Sequence, residues 1–300
     1  MNALTRRLSM MNPTFARRSC SSKSSTLIVK KEGHITTFGI NRPEKRNCIN
    51  SLTAQKLKDA IKEFENDSNA YVGVLYGLGG NFCAGYDLSE LSQGGTGNEI
   101  FNKPTGYMGP TLRHIKKPMV AAVSGYAVAG GLELALMCDL RVVEDNAVMG
   151  VYCRRFGVPL IDGGTVRLQA YVGLSRAMDY ILTGRSIPAK EAFEVGIANR
   201  IVAVGTSYGQ AINLATSLIK FPQKCMNADR ASAYNSAYCK VYDDLLKYET
   251  EHGIPILTEE SVQGAQRFVS GVGRHGKFHN LTEKVKPEWE KDENKLQNKL

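Results

Sequence analysis

Two short apolar runs in the middle of the chain each end in a glycine-rich turn and then change to a helical pattern. "YVGVLYG" (71–77) leads into "GLGGNFCAG", and "PMVAAVSG" (118–125) leads into the rest of "SGYAVAGGLELALMCD" (124–139). A run of this length, bounded by turn residues, reads as a buried strand. A third strand is expected at "LRVVED" (140–145). Strands that alternate with helices point to an α/β core.

The flanks fit that core. "LIVKKEGHITTFGI" (27–40) reads as two short strands around a Glu-Gly turn. "NRPEKRN" follows as a loop. Thr53 is the expected cap of a helix running to about Glu65, with Leu57, Ile61 and Phe64 on one face. A further helix is expected near Asp87, and residues 92–109 read as a loop rich in Gly, Asn and Thr. After Gly163 the pattern is mostly helical, with one strand near "NRIVAV" (199–204). The expected organisation is a leader at 1–25, an α/β core at 26–205, a helical region at 206–280 and a polar tail at 281–300.

Charge separates the first of these parts from the rest. Residues 1–25 hold Arg6, Arg7, Arg17, Arg18 and Lys23, and the first carboxylate is Glu32. Without those five charges the formal net charge falls from +9 to +4. A basic, Ser-rich, acid-free start is the composition of a mitochondrial transit peptide, so the matrix is the expected location. The C-terminal "NKL" loosely resembles a peroxisomal signal and gives the alternative. The remaining positive charge is spread out, so no nucleic-acid partner is expected. No apolar run reaches the roughly 18 residues of a membrane helix, and a soluble protein is expected. Cysteines stand at 20, 48, 83, 138, 153, 225 and 239 with no C-x-x-C pair. That argues against a zinc site or a disulfide framework, and a reducing compartment fits. His275 and His279 have metal-binding spacing, but Gly273 and Gly276 break a helix there, and surface histidines are the expected reading.

Glu133 is the residue that asks for an explanation. It lies between Leu132 and Leu134, in a segment that should be buried. A buried carboxylate without a partner costs several kcal/mol or shifts its pKa. The two glycine turns suggest a use for it. Turns that open helices present backbone N–H groups where the helix dipole favours negative charge. The N–H of Ala84 on the first turn and that of Gly130 on the second could converge on one oxygen, as an oxyanion hole. Glu133, one turn beyond Gly130, could then move a proton at the same place. The other readings are that Glu133 neutralises a buried Lys or Arg, or caps its helix. "YGLGG" as a dinucleotide loop is a poor match, since the third glycine of the motif is missing.

Several segments in order resemble the crotonase superfamily, the enoyl-CoA hydratase/isomerase family: "INRPEKRNCIN", "GGNFCAGYDLSEL", "IKKPMVAAVSGYAVAGGLELALMCDLRV", "GVPLIDGGTVRL" and "LTGRSIPAKEAFEVGIANRIV". The likeness spans about residues 26–275. It implies a spiral of ββα turns followed by C-terminal helices that build homotrimers, often paired into hexamers. It also implies an acyl-CoA thioester as ligand, with coenzyme A part of the substrate and no metal or redox cofactor. By position, Ala84 and Gly130 take the oxyanion-hole places, and Glu133 that of the first catalytic glutamate. Ala84, Gly85, Tyr86 and Asp87 match the stretch that wraps the thioester. Lys45 and Arg46 lie in a segment matched to the CoA side.

The chain departs from the hydratase pattern at one important position. Hydratases carry a second glutamate in F-G-x-P-E; here the segment is "MGVYC", which places Cys153 there, followed by Arg154 and Arg155. Cys153 reads as a small apolar filler or as a thiolate favoured by the two arginines. The arginines suit CoA phosphates, a carboxylate on the acyl group, or a subunit interface. Asp162 is the nearest other carboxylate, read as a second catalytic acid or as a cap for the helix after it. The expected activity is hydration of 2-enoyl-CoA. The alternatives are double-bond isomerisation, or an acyl-CoA-binding protein with little turnover.

Overall fold

A computed structural model describes residues 25–93 and 106–238, with Glu251 and Pro255. The expected leader, the polar tail, the two spaced histidines and most of the 92–109 loop lie outside the described residues. In chain order the strands are β1 (Leu27–Glu32), β2 (Ile35–Ile40), β3 (Val72–Gly77), β4 (Met119–Val123), β5 (Tyr126–Val128), β6 (Leu140–Glu144), β7 (Val148–Gly150), β8 (Ser186–Pro188) and β9 (Arg200–Val202). The helices are α1 (Ser51–Asn66), α2 (Leu88–Gln93), α3 (Gly130–Met137), α4 (Gly164–Val172), α5 (Leu174–Thr183), α6 (Ala189–Glu194), α7 (Ser207–Leu218) and α8 (Gln223–Tyr238).

The larger sheet has the order β1-β2-β3-β4-β6-β9, and the smaller one β5-β7-β8. β1 and β2 form the expected antiparallel hairpin, turned at Gly33 with φ +57°. The other large-sheet pairings are parallel. β1 lies at the edge and exposes Lys30, Lys31 and Glu32, charges that discourage pairing with another chain.

The apolar runs follow from burial on both faces. Side chains alternate along a strand. Met119, Ala121 and Val123 of β4 join a core with Leu57, Ile61 and Phe64 of α1. Val120 and Ala122 face a second core with Ala211, Leu214 and Ala215 of α7. A strand covered on both sides needs apolar residues at every position.

β4 passes into β5 and then α3, and β6 passes into β7 and then α4. β3 passes through Cys83, which bridges to Ala127 of β5, and then reaches α2. Successive ββα turns thus stack into a spiral, as the resemblance implied. Three short strands, β5, β7 and β8, were not expected from the sequence. Three residues are too few for periodicity to show. One cap also differs. Asn50, not Thr53, caps α1: its Oδ1 accepts from the Thr53 amide at 3.0 Å and from the Thr53 hydroxyl at 2.6 Å. Among the described residues, no helix is long and apolar enough to cross a membrane.

All eight residues of α3 are buried. The helix lies backbone-close to its neighbour: a Cβ on Gly131 would collide with the carbonyl oxygen of Cys83. α8 contrasts with it, having no buried residue. Arg230 Nε and Tyr234 Oη tie α8 to Asp139 Oδ1, each at 2.7 Å.

Candidate active site

A cleft of about 660 Å³ opens between the two glycine turns and the Tyr152–Phe156 segment. Its lining includes Arg46, Ala84, Tyr86, Gly130, Glu133, Cys153, Arg155 and Asp162. The folded chain therefore gathers most of the site residues expected from sequence. Lys45, Gly85 and Asp87 are not on the wall.

The two turns do touch. A Cβ on Gly85, which has φ +100°, would stand 2.9 Å from Ala129 Cβ and 3.2 Å from the Gly130 nitrogen. Glycine is needed there both for its positive φ and for the close approach. The assignment of Ala84 as a donor is corrected. Its N–H donates to the Arg46 carbonyl at 3.0 Å and is not open to a ligand. The amide two residues on is the open one. The N–H groups of Tyr86 and Gly130 meet no acceptor among the described residues. The cue in the sequence was Gly85 itself, because the glycine turns the chain and the next amide inherits the new direction. Gly130 opens α3, so its amide has no intrahelical partner. Ala129 before it has φ +54°, a conformation that costs a non-glycine residue about 1–3 kcal/mol and recurs at active sites.

Glu133 is 3% exposed. It neither pairs with a cation nor caps its own helix. Oε1 accepts the amides of Asp162 at 2.9 Å and Gly164 at 2.8 Å, the second being the first residue of α4. Oε2 has no partner among the described residues. Burial and then the negative charge of Asp162 push the pKa up to about 7, while the two amide hydrogen bonds and Arg167 act in the opposite direction. A carboxyl near neutrality can both give and take a proton.

Asp162 is also 3% exposed, and its pKa is raised by burial. Oδ1 accepts from the Met108 amide at 3.0 Å and from the Thr111 hydroxyl. Arg167 donates Nη1 to the Asp162 carbonyl at 2.9 Å and Nη2 to the Thr111 carbonyl at 2.5 Å. The alternative that Asp162 caps α4 is set aside, since Glu133 fills that place and Gly163 is the N-cap residue.

The Asp87 carboxylate is structural. Oδ2 receives Arg42 Nη2 at 2.8 Å, and Oδ1 receives the Ser89 amide at 3.1 Å, at the start of α2. Burial alone would raise its pKa, but Arg42 and Ser89 bring it below the ordinary value. Lys45 points away, with Nζ 3.4 Å from Ser89 Oγ. Arg46 lines the cleft and lies 5.4 Å from the Tyr126 ring centre.

Cys153 is 8% exposed, and its pKa is raised by burial and then by the charge of Glu133. Of the two readings of Cys153, the small apolar filler fits, and burial disfavours the thiolate. Arg154 turns to the Ile181 carbonyl at 3.2 Å. Sequence reasoning missed the apolar walls supplied by Leu88, Leu91, Met108 and Phe156, because the segments that carry them meet only in the fold.

The profile of the family described as enoyl-CoA hydratase/isomerase matches residues 30–291. The short-chain-enoyl-CoA hydratase of Clostridium acetobutylicum is 30% identical over 256 residues, 82% of this chain and 95% of that protein. The probable mitochondrial enoyl-CoA hydratase of Dictyostelium discoideum is 30% identical over 224 residues, 75% and 80% of the two chains. The crystal structure of an enoyl-CoA hydratase from Mycobacterium tuberculosis superposes with a TM-score of 0.76 at 31% identity, covering 82% of this chain and 96% of that one. With its ββα spiral, two open amides and a neutral-range glutamate on one cleft, this chain is a member of the enoyl-CoA hydratase/isomerase family, within the crotonase superfamily.

Proposed function

We propose that the protein adds water to 2-enoyl thioesters of coenzyme A. The observation that carries this reading is the state of Glu133: one oxygen is clamped by two amides, the other is unclaimed, and its pKa is about 7. It lies one helical turn from an amide that still lacks an acceptor.

The thioester oxygen accepts from the Tyr86 and Gly130 amides. Glu133 removes a proton from water as the water oxygen bonds to C3. The π electrons move to the thioester oxygen, and the two amides hold the enolate. Preorganised donors of this kind contribute about 10²–10³-fold each. Glu133 then returns its proton to C2, leaving a 3-hydroxyacyl thioester and a carboxylate ready for the next turn. Asp162 acts beside it, its charge holding the proton affinity of Glu133 near neutrality. The steps call for no metal or redox cofactor. The replacement of the hydratases' second glutamate by Cys153 supports a second reading, in which Glu133 alone shifts a double bond between carbons of the acyl chain.

Crotonyl-CoA and trans-3-hexenoyl-CoA separate the readings. A hydratase removes the conjugated absorbance of crotonyl-CoA. An isomerase creates that absorbance from trans-3-hexenoyl-CoA and leaves crotonyl-CoA alone. No change with either substrate, together with tight binding of both, returns the binding-protein reading.

The proposed location is the mitochondrion, supported by the acid-free basic start and the likeness to the Dictyostelium protein. The proposed assembly is a homotrimer or hexamer. Leu174, Met178 and Leu182 support it, lying four residues apart on α5 and all exposed, with Phe156 and Val166 exposed as well.

A further inference from the structure

Among the described residues, the two cations on the cleft wall, Arg46 and Arg155, pair with no carboxylate, and Arg155 is the one fixed by its own turn. Tyr152–Phe156 is a short 3₁₀ helix, in which residues three apart eclipse. Arg155 accordingly lies over Tyr152, its guanidinium carbon 3.6 Å from the ring centre. Its Nη2 donates to the Gly184 carbonyl at 3.2 Å, and Tyr152 Oη is 2.6 Å from Ser186 Oγ. The ring and one carbonyl hold the guanidinium in place without neutralising it. Among the described residues, no carboxylate lies within ion-pair distance of Arg155. Arg185 shows the contrast, pairing with both Asp179 and Glu191.

Arg46 and Arg155 both line the cleft that holds Glu133. Arg46 belongs to the first turn, where its carbonyl holds the Ala84 amide. Arg155 follows two residues after Cys153, whose thiol feels the charge of Glu133. The resemblance places the CoA portion on the side of the segment that carries Arg46. The same cleft is lined by the apolar Phe156 and Val158, which follow Arg155 in the chain. Those side chains suit methylene groups, and the guanidinium suits an anion.

We propose that Arg155 binds a second carboxylate at the far end of the acyl group, so that the cleft selects CoA thioesters of dicarboxylic acids. This rests on the reading of the cleft as an acyl-CoA site. A guanidinium meets a carboxylate in a two-pronged geometry that ammonium cannot match.

The test compares trans-2-hexenedioyl-CoA with its neutral length match, trans-2-hexenoyl-CoA, on the full chain. Wild type should favour the dicarboxylate in kcat/KM by roughly 10- to 100-fold, mainly through KM. Arg155→Met should bring that ratio close to one, Arg155→Lys should leave part of it, and Arg155→Glu should invert it. A wild-type ratio of one overturns the proposal. So does an equal loss on both substrates in Arg155→Met, which would indicate a contact to CoA phosphate or a purely structural role. If neither thioester is turned over, the enzymatic reading fails, and calorimetry with adipoyl-CoA and hexanoyl-CoA decides Arg155 separately. The same preference in Kd sustains it, and equal Kd values end it. Thermal melts identify any variant that misfolds, in which case Arg155→Lys carries the comparison.

Discussion

The corner at Gly85–Asp87 and the corner at Ala129–Glu133 are built alike, and they put their carboxylates to opposite uses. In each, the chain turns at a residue with positive φ, presents an open amide and enters a helix with an acid nearby. Asp87 meets Arg42 and stays charged below the ordinary carboxylate range. Glu133 meets only amides and another acid, and rises to about 7. The facing group, and not the local turn, decides whether a buried acid is a structural anchor or a proton carrier.

The sharpest way to break the comparison is to remove the proton carrier. Glu133→Gln keeps an acceptor for the Asp162 and Gly164 amides and loses the titrating oxygen. Turnover should fall by about 10²–10⁴-fold with little change in CoA binding. Wild-type turnover in that variant would take Glu133 out of the mechanism.

The matching change at the other corner should act on stability. Arg42→Met leaves Asp87 buried with its cation gone, which should cost about 3 kcal/mol. Urea unfolding measures it, and a loss of activity without a loss of stability would reverse the roles assigned to the two corners.

The same Glu133→Gln variant should show an opposite effect on stability at high pH. A carboxyl whose folded pKa lies above its unfolded value favours folding while protonated. That contribution is complete below the unfolded value of 4.5 and is lost as pH rises toward about 7. Above pH 7 the ionised Glu133 therefore burdens the fold by up to about 3 kcal/mol. Glu133→Gln should melt higher than wild type at pH 8, and the two should converge near pH 5.

Asp162→Asn tests the coupling inside the second corner. The alkaline rise of kcat/KM should have its midpoint near the Glu133 pKa of about 7. Removing the neighbouring charge should move that midpoint to lower pH. An unmoved midpoint would mean that Asp162 does not act through Glu133. The smallest effect is expected at Ala129→Gly, which should relieve the strain at φ +54° and stabilise the protein by about 1 kcal/mol or less, offset by the added chain entropy.

Much of this was legible along the chain, because the signals are local. Doubly covered strands read as continuous apolar runs, as at Met119–Val123. Glycine turns marked both corners, and an acid between leucines marked Glu133. The three-residue strands were not legible, since they have too few side chains to show a period. The cap of α1 was misplaced because Asn50 and Thr53 both have capping chemistry, and only backbone direction separates them.

What the sequence by itself determined is the class of fold, the two corners and the identity of the central acid, since each depends on residues within a few positions of one another. The tertiary structure decided which amide stays open and which acid titrates. Ala84 loses its amide to Arg46, Asp87 gains Arg42 from 45 residues away, and Glu133 is clamped by amides 29 and 31 residues along the chain. Hydrogen-bond saturation and pKa depend on what stands within a few ångströms in space, and partners so far apart in sequence become neighbours only once the spiral has closed.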